Sequence, residues 1–107
     1  MGKDTIIIHG SASTLLAVNT SRLTGATLGF VETRRFPDGE KYIRVIDDVK
    51  GKRVLLIQTL HPGPDELLME FFLLYDTLVD LGAKVVPVLP YFAYARQDKR
   101  FNPGEAL

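Results

Sequence analysis

Two short segments carry residue types that could do chemistry. In Arg34-Arg35-Phe36-Pro37-Asp38-Gly39-Glu40 an aromatic ring and two carboxylates surround a Pro-Asp-Gly turn. Proline fixes one φ and glycine accepts a positive one, so the segment is a stiff projection and a poor way to build a core. Phe36 could stack on a purine while Asp38 or Glu40 accepts from an exocyclic amine or a ribose hydroxyl. The plainer reading is an acidic hairpin turn with an exposed ring. In Tyr94-Ala95-Arg96-Gln97-Asp98-Lys99-Arg100 a guanidinium fork, an amide and two more cations follow an apolar stretch. Charge and bidentate geometry together suit a polyphosphate. The plainer reading there is a solvated charge run.

Two further loops are weaker candidates. His9-Gly10-Ser11-Ala12-Ser13 could cradle a phosphate with its backbone, but it lacks the glycines of a dinucleotide fingerprint and the lysine of a P-loop. A structural turn is the better reading. His61, in Thr59-Leu60-His61-Pro62-Gly63-Pro64, has only His9 and scattered carboxylates for company, so no metal site is expected.

The elements that must position these segments follow from hydrophobic patterning. Residues 5–9, 53–58 and 84–89 are continuous apolar runs, the pattern of strands covered on both faces in a parallel sheet. Residues 14–24 place Leu15, Leu16, Ala17 and Leu23 at roughly helical spacing, with Ser13 as N-cap and Gly25 as stop. Residues 27–32 and 41–46 form two strands around the Pro-Asp-Gly turn. In the second, Tyr42, Arg44 and Ile46 face one way and Ile43 and Val45 the other. Residues 65–81 form a long helix with Leu67, Phe71, Leu74 and Leu78 on one line. Leu68, Phe72, Tyr75 and Val79 make the next, Glu66, Glu70, Asp76 and Asp80 the wet side, and Gly82 the cap. Met69 and Leu73 fall toward the polar stripe, which fits either cover from another subunit or simple exposure. Residues 102–107 resemble the opening of a further helix.

Strand-helix-strand at each end predicts an α/β fold: an open, mostly parallel sheet with flanking helices and an antiparallel flap hairpin. In such sheets ligands collect at the carboxyl ends of the strands, where both cationic and glycine-containing loops fall.

The chain has 107 residues, 46% of them hydrophobic and 24% charged, enough for one core and one domain. Thirteen basic residues balance thirteen acidic ones, so there is no overall field to favour nucleic acid or an anionic membrane. No cysteine is present, which removes disulfides and thiolate chemistry. The apolar runs fall short of a membrane span, and a cytoplasmic location is expected.

Arg35-Phe36-Pro37-Asp38-Gly39-Glu40 and Pro90-Tyr91-Phe92-Ala93-Tyr94-Ala95-Arg96-Gln97-Asp98, separated by a strand, a long helix and a strand, closely resemble the N-terminal domain of ribose-phosphate pyrophosphokinase, also called phosphoribosyl pyrophosphate synthetase. Gly10-Ser11-Ala12-Ser13, Gly51-Lys52, residues 59–62, Leu68-Met69-Glu70 and Pro103-Gly104-Glu105 also resemble family positions. The resemblance runs along essentially the whole chain.

That resemblance implies a phosphoribosyltransferase-like fold. It also implies transfer of the β,γ-pyrophosphoryl group of ATP to the 1-hydroxyl of ribose 5-phosphate, giving phosphoribosyl pyrophosphate and AMP with Mg²⁺ assisting. Phe36 is similar to the family's adenine-stacking ring, and Asp38, Gly39 and Glu40 to its partners for adenine and ribose. Arg96, Gln97 and Asp98 resemble nucleotide-binding residues, with Lys99 and Arg100 in the mobile loop nearby. In the family the flap of one subunit meets the Arg-Gln motif of its neighbour, which implies a homodimer and further assembly into hexamers. The metal-binding His, the Lys and Arg of the flexible loop and the ribose 5-phosphate domain of family members are not in this sequence, and Arg100-Phe101-Asn102 departs from the family's charged stretch. The expectation is that residues 1–107 are the ATP-binding and oligomerisation domain, with no catalytic residue and no metal ligand of its own, and are inactive alone. Two rivals are a non-catalytic synthetase-associated regulatory subunit and a stand-alone nucleotide-binding module.

Overall fold

The computed structural model describes residues 4–91, 100 and 102–106. Its centre is a four-stranded sheet in the order β2-β1-β5-β6, built from β1 (Thr5–His9), β2 (Thr27–Leu28), β5 (Arg53–Ile57) and β6 (Lys84–Val88). Every neighbouring pair in it is parallel. A two-stranded antiparallel hairpin, β3 (Val31–Arg35) and β4 (Lys41–Val45), forms the flap. Helix α1 (Thr14–Thr24) links β1 to β2, and α2 (Pro64–Asp80) links β5 to β6.

The apolar runs of β1 and β5 divide between two cores because successive side chains point to opposite faces. Ile6, Ile8, Val54 and Leu56 meet Leu74 and Leu78 of α2, with Ile43 and Val45 of the flap packed beside them. Ile7, Leu55 and Ile57 meet Ala17 of α1 and Ala26. Burying each of these larger aliphatic side chains contributes roughly 1.5–3 kcal/mol, so the two central strands are the anchor of the fold.

The expected architecture holds, with local corrections. The single strand expected over 27–32 is two strands in different sheets. Gly29 is the break: a Cβ there would lie 2.6 Å from Ile8 Cδ1, so only glycine lets the chain leave the sheet this close to β1. The next residue is held by Asp47, whose carboxylate accepts from Phe30 N–H at 2.6 Å.

The strand expected to be covered on both faces at 84–89 is the edge of the sheet among the described residues, with Val86 and Val88 exposed. Pro87, which has no N–H to give a further strand, suits that position. Leu15, Leu16 and Leu23 are exposed too, and α1 is seated through the small side chain of Ala17.

Gly25 ends α1 in the left-handed conformation as expected, but Ser13 gives no side-chain cap to the helix. Its hydroxyl is used elsewhere, accepting from Thr59 N–H at 2.9 Å. Pro64 at the first turn of α2, followed by Asp65 and Glu66, suits the positive end of the helix dipole. Gly82 follows that helix at φ 88. Residues 102–106 form a turn in place of the expected helix opening, with Gly104 at φ 84.

Candidate functional site

The flap tip is closed by four hydrogen bonds. Phe36 N–H donates to Glu40 O at 2.8 Å and Gly39 N–H to Phe36 O at 2.9 Å. Glu40 N–H donates to Asp38 Oδ1 at 3.0 Å, and the Arg35 guanidinium to Gly39 O at 2.9 Å. Gly39 stands at φ 95, the positive angle that a three-residue hairpin loop requires after its turn. Phe36, Asp38, Gly39 and Glu40 are thereby gathered on one exposed turn, and one Asp38 oxygen is already occupied in closing it.

The two faces of the flap differ. Ile43 and Val45 turn inward to the core, and Arg35 on that side reaches Glu66 of α2 at 2.9 Å. The opposite face carries Arg34, Phe36 and Tyr42. The Phe36 and Tyr42 rings are perpendicular at 5.9 Å, and the Arg34 guanidinium lies 4.2 Å from the Tyr42 ring centre. The aromatic face of the flap therefore points away from the chain's own sheet.

Of the cationic candidates, Arg96, Gln97, Asp98 and Lys99 lie outside the described residues. Arg100 is described and exposed, and its Nε donates to Glu105 O at 2.8 Å. His61 is exposed and lies against Tyr91, ring centres 5.2 Å apart.

At the carboxyl end of the sheet the glycine-containing loop after β1 is held from within. Glu70, expected on the wet side of α2, is fully buried. Its Oε2 accepts from Ser11 N–H at 3.2 Å, Ser11 Oγ at 3.0 Å and Gln58 Nε2 at 2.7 Å. Gln58 Nε2 also donates to Leu67 O at 3.0 Å. The Ser11 N–H, one of the donors a phosphate could use in this loop, is thus spent on the protein's own carboxylate. Gly10 is required beside it: a Cβ there would lie 1.5 Å from Gln58 Oε1.

Between this loop and the flap lies a cavity of about 460 Å³, lined among others by Ser11, Thr33, Arg35, Lys41, Glu66 and Glu70. A second of about 540 Å³ lies along the flap tip and the start of α2, where Gly39 and Glu40 face Asp65, Glu66 and Met69. Among the described residues no three His, Cys, Asp or Glu side chains come together to hold a metal ion.

Sequence reasoning missed Glu70, Gln58 and Ser11 as a unit. The signal was present, since Glu70 is three residues after Leu67 and four before Leu74, on the buried line itself. It also missed the partnership of Phe36 with Tyr42 and Arg34.

The sequence profile of the N-terminal domain of ribose phosphate pyrophosphokinase matches residues 5–107. The chain belongs to that family. Ribose-phosphate pyrophosphokinases from Saccharolobus solfataricus and Methanobrevibacter smithii are 46% and 47% identical to it over 103 residues, 95% of this chain. The chain spans about a third of the length of these curated relatives, 35% and 34% respectively. The phosphoribosylpyrophosphate synthetase from Mycobacterium smegmatis superposes with a TM-score of 0.89 at 30% identity, over 97% of this chain and 35% of that one. A purine phosphoribosyltransferase from Pyrococcus horikoshii shares the fold, with a TM-score of 0.59 at 19% identity over 85% of this chain and 65% of that one. Among the described residues of this pyrophosphokinase-family domain, no helix is long and apolar enough to cross a membrane.

Proposed function

We propose that residues 1–107 are the ATP-binding and oligomerisation domain of a ribose-phosphate pyrophosphokinase. The enzyme transfers the β,γ-pyrophosphoryl group of ATP to the 1-hydroxyl of ribose 5-phosphate, giving phosphoribosyl pyrophosphate and AMP. The observation that carries this reading is the flap, a rigid turn that presents Phe36 on the face turned away from its own sheet.

Phosphoryl transfer of this kind is mostly alignment and charge neutralisation. Phe36 stacks on the adenine, and the carboxylates of Glu40 and Asp38 accept from the adenine amine and the ribose hydroxyls. Arg96 and Gln97 of a second copy, with Asp98 beside them, supply the opposing wall and meet the phosphates, and Lys99 and Arg100 lie near. The outward aim of the aromatic face supports a second copy as that wall, since a nucleotide on Phe36 would otherwise have open solvent on its far side. A homodimer is the smallest unit with this site, and dimers can assemble further. The Mg²⁺ that accompanies ATP would take its ligands outside the described residues, as would ribose 5-phosphate, and the enzyme is cytoplasmic in this reading.

The test is AMP formation by the full-length protein that carries this domain, from ATP with and without ribose 5-phosphate. AMP that appears only with ribose 5-phosphate, matched by phosphoribosyl pyrophosphate, is expected. No AMP under any condition would favour a non-catalytic subunit or a binding module. The 107-residue chain alone is expected to release none.

A further inference from the structure

We propose that Tyr42 and Arg34 are positioning residues for Phe36, a cross-strand stack that holds the ring upright so that a planar ligand meets it already oriented. The proposal rests on the reading of Phe36 as the purine-stacking ring.

Phe36 lies just beyond the last ladder pair of the flap, Arg35 with Lys41, and is 43% exposed. A lone ring at a turn would sample several rotamers and lose that freedom when a ligand arrives. Tyr42 removes the freedom beforehand. It stands opposite Arg34 in the register and on the diagonal from Phe36, within reach of an aromatic side chain. The two rings are 5.9 Å apart at 89°, the perpendicular arrangement that the ring quadrupoles favour.

Arg34 completes the cluster against both rings. Its guanidinium is 4.2 Å from the Tyr42 ring centre and 5.9 Å from that of Phe36, so the contact with Tyr42 is the stronger one. Arg34 Nε is 3.7 Å from Glu32 Oε1, a neighbour on the same face. None of these four side chains belongs to the inner core. Their arrangement serves the outward face of the flap, where Phe36 is presented.

The experiment measures KM and kcat for ATP in the full-length protein with Phe36→Ala, Tyr42→Ala, Tyr42→Leu, Tyr42→Phe and the Phe36→Ala/Tyr42→Ala double variant. Tyr42→Ala and Tyr42→Leu are expected to raise KM roughly three- to tenfold, the size of one aromatic pair, with kcat kept. Tyr42→Phe restores the wild-type KM because the ring alone makes the contact. In the double variant Tyr42→Ala adds nothing to Phe36→Ala, because there is no ring left to position. Tyr42→Leu retains side-chain bulk and reports even if Tyr42→Ala does not fold. If Phe36→Ala raises KM but the Tyr42 variants do not, or add their full effect on top of it, the positioning role is overturned and the stacking role stands. If Phe36→Ala leaves KM unchanged, the stacking role fails and the positioning role with it.

Discussion

Glu70 Oε2 accepts from Gln58 Nε2 at 2.7 Å, and neither side chain reaches solvent. The bond joins the middle of α2 to the residue after β5, and the same oxygen takes both the N–H and the hydroxyl of Ser11 after β1. Two strand ends and a helix are fastened by one carboxylate at the rim of the sheet, next to the cavity that separates the rim from the flap.

Removing that carboxylate leaves three donors without it, and one of them, Gln58 Nε2, lies away from water. Glu70→Ala is expected to destabilise the fold by about 2–4 kcal/mol, combining lost hydrogen bonds with the cavity left behind. Glu70→Gln, which keeps the volume and one acceptor oxygen, should lose less. Urea unfolding measures both, and wild-type midpoints for the alanine variant would contradict the fastening.

Gly10→Ala tests the same cluster from the other side. The added methyl would meet Gln58 Oε1 at 1.5 Å, and Gln58 is held by two hydrogen bonds, so the amide must leave its place. A loss of about 1–3 kcal/mol is expected from overpacking. Combined with Gln58→Ala the two losses should fall short of their sum, since the clash disappears. Strict additivity in thermal melts would show that Gly10 matters for another reason.

Arg35 and Glu66 make the ion pair between flap and α2, both side chains about half exposed or more. A double-mutant cycle with Arg35→Ala and Glu66→Ala should give a coupling of about 0.2–1 kcal/mol that shrinks as salt is added. The flap stays docked through Ile43 and Val45 in either variant. A coupling well above that range, insensitive to salt, would mean the pair and not the apolar contacts holds the flap.

The parallel sheet and the flap were legible because their signals are local and strong: continuous apolar runs at β1 and β5, and Pro37-Asp38-Gly39 between two strands. What was hidden depends on pairing across the fold. The charge of Glu70 argues for water and its spacing from Leu67 and Leu74 for the inner line, and nothing local discloses that Ser11 and Gln58 wait there as donors. Nothing near Gly29 in the sequence discloses that Ile6 and Ile8 press against it. The β6 run is as apolar as a buried strand and lies at the edge of the described sheet, a matter of strand order rather than composition. At the flap tip the residue types were plain, and the Tyr42 contact that orients Phe36 was not, since it joins residues on opposite strands.

The shared nucleotide site is tested most directly by complementation. Full-length Phe36→Ala and Arg96→Ala proteins, each impaired for ATP, are unfolded and refolded together, and AMP formation from ATP and ribose 5-phosphate is measured on the mixture. If the flap of one copy and the Arg-Gln segment of another build one site, mixed oligomers contain some sites with neither substitution, and activity rises well above that of either variant refolded alone. A mixture no more active than the sum of its two components, although mixed oligomers form, would contradict a site shared between copies.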